Sequence, residues 1–129
     1  METIRKIFKA VLWAAIEDYT KLLHLLPDIY NDINDKYDIN LSIAKKVLLF
    51  YIENDYISLF YENWKIPNKF IKIPKKKALK LVIETSAWER PNDDLWVVTS
   101  ASPKGEDLYY SGKIDDDSFI LPDILQEIL

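Results

Sequence analysis

The stretch LSIAKKVLLFYIENDYISLFY, residues 41–61, changes its hydrophobic period once, and the change predicts an α-helix that runs into a β-strand. Ile43, Ala44, Val47, Leu48, Phe50, Tyr51 and Ile52 recur at the three- and four-residue spacing of a helix face. That surface is wider than a third of the circumference, so the helix is expected to pack on more than one side. Its remaining face carries Ser42, Lys45, Lys46, Leu49 and Glu53. The polar triplet Glu53-Asn54-Asp55 breaks the pattern. Beyond it Ile57, Leu59 and Tyr61 alternate with Tyr56, Ser58 and Phe60, the two-residue period of a strand. A second strand-like run, Leu95-Trp-Val-Val-Thr-Ser100, lies downstream. It leads into Ser102-Pro-Lys-Gly-Glu-Asp-Leu-Tyr-Tyr110, which reads as a short helix ended by Gly112.

On the N-terminal side, Ile4, Ile7, Phe8, Val11, Leu12, Ala15 and Ile16 predict an amphipathic helix with Trp13 at the edge of its apolar face. A second helical stretch is expected from Asp18–Thr20 over Leu22, Leu23, Leu25 and Leu26. Pro27 then demands a kink or a new helix at Asp28, continued by Ile29, Tyr30 and Ile33. Asn34, Asp35, Asp38 and Asn40 have turn chemistry, and Asn40 or Ser42 is placed to cap the next helix. Between the two strands, Pro67 and Pro74 bracket a loop or irregular edge. Pro74–Glu84 predicts a short helix with Leu79, Val82 and Ile83 inward, although three lysines in its first turn oppose the helix dipole. Residues 88–94 read as a loop. In the tail, Asp115–Asp117 precede Ile124, Leu125, Ile128 and Leu129, which are helix-spaced after Pro122. About eight residues cannot hold a helix alone in water, so this tail is expected to dock on the body, on a second copy or on a partner.

The expected fold class is therefore α+β: a helical N-terminal half and a small antiparallel β-hairpin with a helical insertion. One domain over residues 1–129 is expected, with 62–94 the insertion and 113–129 an acidic, then apolar, tail. A chain of 129 residues buries roughly two-thirds of its unfolded surface. A content of 49% apolar residues, four Trp and eight Tyr argues against disorder over most of the chain. Cysteine is absent, so there is no disulfide framework, no thiolate metal site and no Cys nucleophile. That composition suits a cytoplasmic protein. The N-terminal apolar run is closed by Glu17-Asp18 without a cleavage pattern, and no segment approaches the ~20 apolar residues of a membrane span. Charge is segregated. Residues 1–64 hold seven basic and ten acidic side chains, residues 65–90 eight and two, and residues 91–129 two and nine. Such blocks either neutralise each other within one fold or form separate binding faces.

The inventory of catalytic groups is short, and the chain reads as a non-enzyme. His24 is the only imidazole, and in Leu22-Leu-His-Leu-Leu26 it reads as structural. Two glycines, Gly105 and Gly112, cannot build a Gly-rich phosphate loop. The adjacent carboxylates Glu17 and Asp18 diverge on a helix, and Asp93 and Asp94 read as turn residues. Asp115, Asp116 and Asp117 lack the spaced ligands and turn glycine of a calcium loop. No metal or cofactor is expected. The one basic patch, Lys75, Lys76 and Lys77 with Lys65, Lys69, Lys72 and Lys80, lies near Tyr61, Trp64 and Phe70. That mixture can hold single-stranded nucleic acid, or be a basic edge whose aromatics fold inward.

The order of LSIAKKVLLFYIENDY, ISLFY and LWVVTSASPKGEDLYY resembles the winged-helix superfamily from about residue 4 to residue 112. The resemblance implies that the helix at 41–54 would be the recognition helix. It departs from the family in the long connection at 62–94. For DNA, Ser42, Lys45 and Lys46 would be the contacts. Against DNA stand an isoelectric point near 5.0 and only two arginines, Arg5 and Arg90. In size and charge the chain is similar to bacterial immunity proteins, which neutralise a toxin. That similarity implies a protein partner contacted by Tyr61, Trp64, Lys75, Lys76, Lys77, Asp115, Asp116 and Asp117. The alternative is a DNA-binding transcription regulator, dimeric through the first helix or the tail.

Overall fold

The computed structural model describes residues 2–25, 37–63, 65–66, 69–91, 95–116 and 119. They form an α+β fold with four α-helices and a four-stranded antiparallel sheet among the described residues. The helices are α1 (Glu2–Glu17), α2 (Tyr37–Glu53), α3 (Lys75–Ile83) and α4 (Pro103–Tyr110). The strands are β1 (Thr20–Lys21), β2 (Ile57–Asn63), β3 (Phe70–Lys72) and β4 (Leu95–Ala101), in the spatial order β1-β4-β2-β3. Among the described residues no helix is long and apolar enough to cross a membrane.

The period change at residues 53–56 is a helix C-cap. Asp55 takes the left-handed conformation at φ 62. Its N–H donates to the Ile52 carbonyl (3.2 Å), and the Tyr56 N–H reaches back to the Tyr51 carbonyl (2.9 Å). This is the double bond of a Schellman ending, here with Asp in place of Gly. The Tyr51 and Tyr56 rings meet edge to face at 6.0 Å, which supplies the apolar contact of that motif. The turn thus carries the chain from α2 directly into β2.

β2 and β4 are far apart in sequence but pair along their whole length, from Ile57 opposite Ala101 to Asn63 opposite Leu95. Ile57, Leu59 and Tyr61 share a face with Ala101, Thr99 and Val97 by this register. Ile57 and Leu59 enter a core with Ile7, Phe8, Val11 and Leu12 of α1, and with Ala44, Val47, Leu48 and Tyr51 of α2. On the opposite face Tyr19 stacks on Phe70, with centroids 3.6 Å apart, and meets Phe60 edge to face at 5.5 Å. α4 is seated by Ser102. Its hydroxyl accepts from the Gly105 N–H (3.1 Å) and donates to the Asp55 carbonyl (2.6 Å). Ser102→Ala should therefore lose about 1 kcal/mol in chemical denaturation, the usual loss for an N-cap side chain.

Several local expectations need correction. Asp18–Leu26 was expected to be helical. Instead Thr20 and Lys21 form β1 against Thr99 and Val98, and a 3-10 turn follows at Leu22–Leu25. The two-residue strand is held because the Thr99 hydroxyl donates to the Thr20 carbonyl (3.1 Å) and the Thr20 hydroxyl to the Ala14 carbonyl (2.6 Å). His24 is exposed rather than structural. α2 starts at Tyr37, so Asp38 and Asn40 lie inside it rather than in a turn. The stretch between Pro67 and Pro74 contains β3, since pairing with β2 satisfies its backbone. In α3 the buried residues are Ala78 and Val82, and Ile83 is exposed. Trp88 is not a loop residue: it ends a 3-10 turn, Thr85–Trp88, and is fully buried. Expectations for residues 26–36, 92–94 and 120–129 lie outside the described residues.

Tyr51 gives a pH dependence. It is buried, and its hydroxyl donates to the Phe8 carbonyl at 2.7 Å. Burial first, then the neighbouring Tyr56, push its phenol well above the ordinary 10.0. A raised folded-state pKa stabilises fully below the unfolded value and is lost as pH climbs past it. Wild-type stability should fall above about pH 10, and Tyr51→Phe should flatten that fall while losing about 1 kcal/mol at neutral pH. Urea midpoints of both proteins across that window check the sign.

Candidate functional site

The connection between β2 and β4 is more than a spacer, because α3 packs against α2. The four carbonyls that end α3 are all accounted for. Those of Lys80 and Leu81 accept from the Glu84 N–H, that of Val82 from the Trp88 indole (2.9 Å), and that of Ile83 from the Lys45 ammonium (2.8 Å). Lys45 also donates to the Thr85 hydroxyl at 2.9 Å. So the central cation of the Ser42, Lys45 and Lys46 set caps the inserted helix, with Ser42 exposed and Lys46 half-buried beside it.

Other expected contact residues are brought together at the start of α3. Lys75 pairs with Asp55 of the α2–β2 turn at 3.1 Å. The Lys77 ammonium lies 5.2 Å from the centroid of the half-buried Tyr61 ring. Lys76 is exposed. The acidic residues attach elsewhere. Asp115 pairs with Lys9 of α1 at 2.8 Å, Asp116 is exposed next to it, and Ile114 is buried between them and the body. Phe119 meets Phe8 and Phe50 edge to face at 6.2 and 6.3 Å, so the start of the tail docks on α1 and α2. Trp64 and Asp117 lie outside the described residues.

A polar hollow of about 270 Å³ is lined by Asp18, Tyr19, Thr20, Lys21, His24 and Glu62. Among the described residues no cluster of three or more His, Asp or Glu side chains is arranged to hold a metal ion.

One surface is not expected from the sequence. Trp13 of α1 is 40% exposed, and its ring lies 5.3 Å from that of Tyr109 on α4. Tyr109 in turn meets Tyr110 edge to face at 5.3 Å, and Tyr110 is 66% exposed. Successive helical residues point about 100° apart, so with Gly105 and Leu108 facing inward, Tyr109 and Tyr110 cannot both be buried.

Comparisons with protein-family models, with curated proteins and with solved structures give no match to this chain.

Proposed function

We propose that the chain is a non-catalytic protein-binding module built on a winged-helix-like scaffold, and that its partner is a toxin that it neutralises. The scaffold reading is supported by α2 leading directly into β2, and by the pairing of β2 with the distant β4. The observation that carries the functional reading is the engagement of Lys45 by the Ile83 carbonyl and the Thr85 hydroxyl. A recognition helix offers its cations to phosphates and base edges. Here the insertion lies along that helix and takes up its central cation. The acidic balance of the chain opposes phosphate further and favours a basic protein. A single His, no Cys and two Gly leave few ways to build a catalytic centre.

Coexpression with the products of the neighbouring genes tests this. One of those products should arrest growth alone, and this chain should restore growth and copurify with it in a stoichiometric complex. Rescue without a complex, or no rescue by any neighbour, would contradict the toxin reading. The second reading, a DNA-binding regulator, rests on Ser42, Lys45 and Lys46 of α2, of which Ser42 is exposed and the two lysines are half-buried.

A further inference from the structure

We infer that the Trp13–Tyr109–Tyr110 array is the docking surface of the chain and that its occupant is a protein presenting arginine side chains. This rests on the protein-binding reading above. Three other aromatic rings near the surface receive a cation from the chain itself, and Tyr19, Phe60 and Phe70 cover one another. Lys21 lies 4.4 Å from the Trp96 ring centroid, Lys77 5.2 Å from that of Tyr61, and Lys104 4.7 Å from that of Tyr56. Among the described residues no cation covers Trp13, Tyr109 or Tyr110.

The charges around the array point the same way. Glu17 follows Trp13 by one helical turn, and Glu106 and Asp107 precede Tyr109 and Tyr110 by one turn; all three carboxylates are exposed. Of the nearby cations, Lys9 is paired with Asp115, and Lys104 donates to the Asn54 carbonyl at 2.9 Å. Lys113 remains on the α4 side, and Lys6 lies two turns from Trp13. An exposed indole and phenol with acidic neighbours fit a guanidinium, which stacks on ring faces and takes carboxylates at its edge. The rings already rest on one another, so little rotamer freedom is left to lose on binding.

The test is an NMR titration of the full chain with an oligoarginine peptide, with oligolysine as the comparison. Arginine should shift the Trp13 indole and the Tyr109 and Tyr110 signals more than lysine does. The double variant Glu106→Lys with Asp107→Lys should abolish those shifts. Shifts confined to Asp115 and Asp116, or no shifts, would overturn the assignment. So would self-association of the chain that Tyr110→Ala removes. In a toxin complex, Tyr110→Ala should weaken binding about thirtyfold, the loss typical of a buried interfacial tyrosine. A complex that keeps full affinity in that variant would reject this surface and leave the protein-binding reading intact. Arginine-specific shifts with no protein partner would reject that reading and not the surface. Tyr110 is largely exposed, so its replacement leaves the fold available for both measurements.

Discussion

Trp88→Ala should destabilise the chain by about 3–5 kcal/mol, the largest single loss expected here. Trp88 has no exposed surface, and it is among the largest fully buried side chains. Its indole N–H satisfies the Val82 carbonyl at 2.9 Å, an acceptor that the end of α3 leaves without a helical partner. Truncation would remove the ring, open a cavity beneath the insertion and orphan that carbonyl together. Small domains retain only about 5–15 kcal/mol of net stability, so roughly a fifth or more would go. Guanidinium unfolding should show the midpoint falling steeply. Trp88→Phe should fall less, because most of the buried area survives. Equal stability of Trp88→Ala and wild type would mean that the insertion is not joined to the core.

Gly105→Ala should cost about 3 kcal/mol, although alanine is the better helix former by about 1 kcal/mol. Gly105 is buried in the first turn of α4, where an added methyl would run into the Tyr56 carbonyl oxygen. The obstacle is backbone, so no side-chain rotation relieves it. The helix start cannot move away freely either, because the Ser102 N–H donates to that same Tyr56 carbonyl at 3.0 Å. Steric and propensity effects have opposite signs here, which makes the measurement decisive. A lower thermal midpoint supports the close seat of α4 on the α2–β2 turn, and a higher one contradicts it. At Gly112 an added methyl meets no neighbour, but φ is 74, so Gly112→Ala should lose about 1–2 kcal/mol from backbone strain alone.

Sequence periodicity found the elements whose partners lie in their own pattern. α2, β2, β4 and α4 each carry a run long enough to declare a period, and the break at 53–55 carries the chemistry of a C-cap. β1 and β3 were not legible because strands of two and three residues show no alternation. They exist only because the edges of β4 and β2 offer backbone partners. Ile83 was misplaced for a related reason. α3 is short, and which of its sides turns inward is decided by α2 and Trp88, which the local pattern does not contain. At the candidate site, Lys45 looked free because its acceptors, Ile83 and Thr85, lie about forty residues away in sequence. Lys77 lies by the Tyr61 ring because β2 runs beside the start of α3, whereas Lys75 pairs with Asp55 of the turn. The exposed array of Trp13, Tyr109 and Tyr110 needed the pairing of α1 with α4, which no single segment reveals.

Retention of duplex DNA over a series of salt concentrations, for wild type and for Lys45→Glu with Lys46→Glu, tests the central claim most directly. Weak retention that is the same for both proteins is the expected result, because α2 is walled by α3 and its central cation is engaged. Strong wild-type retention that falls steeply with salt and vanishes in the double variant would contradict the account, for it would place phosphates against the very face assigned to the insertion.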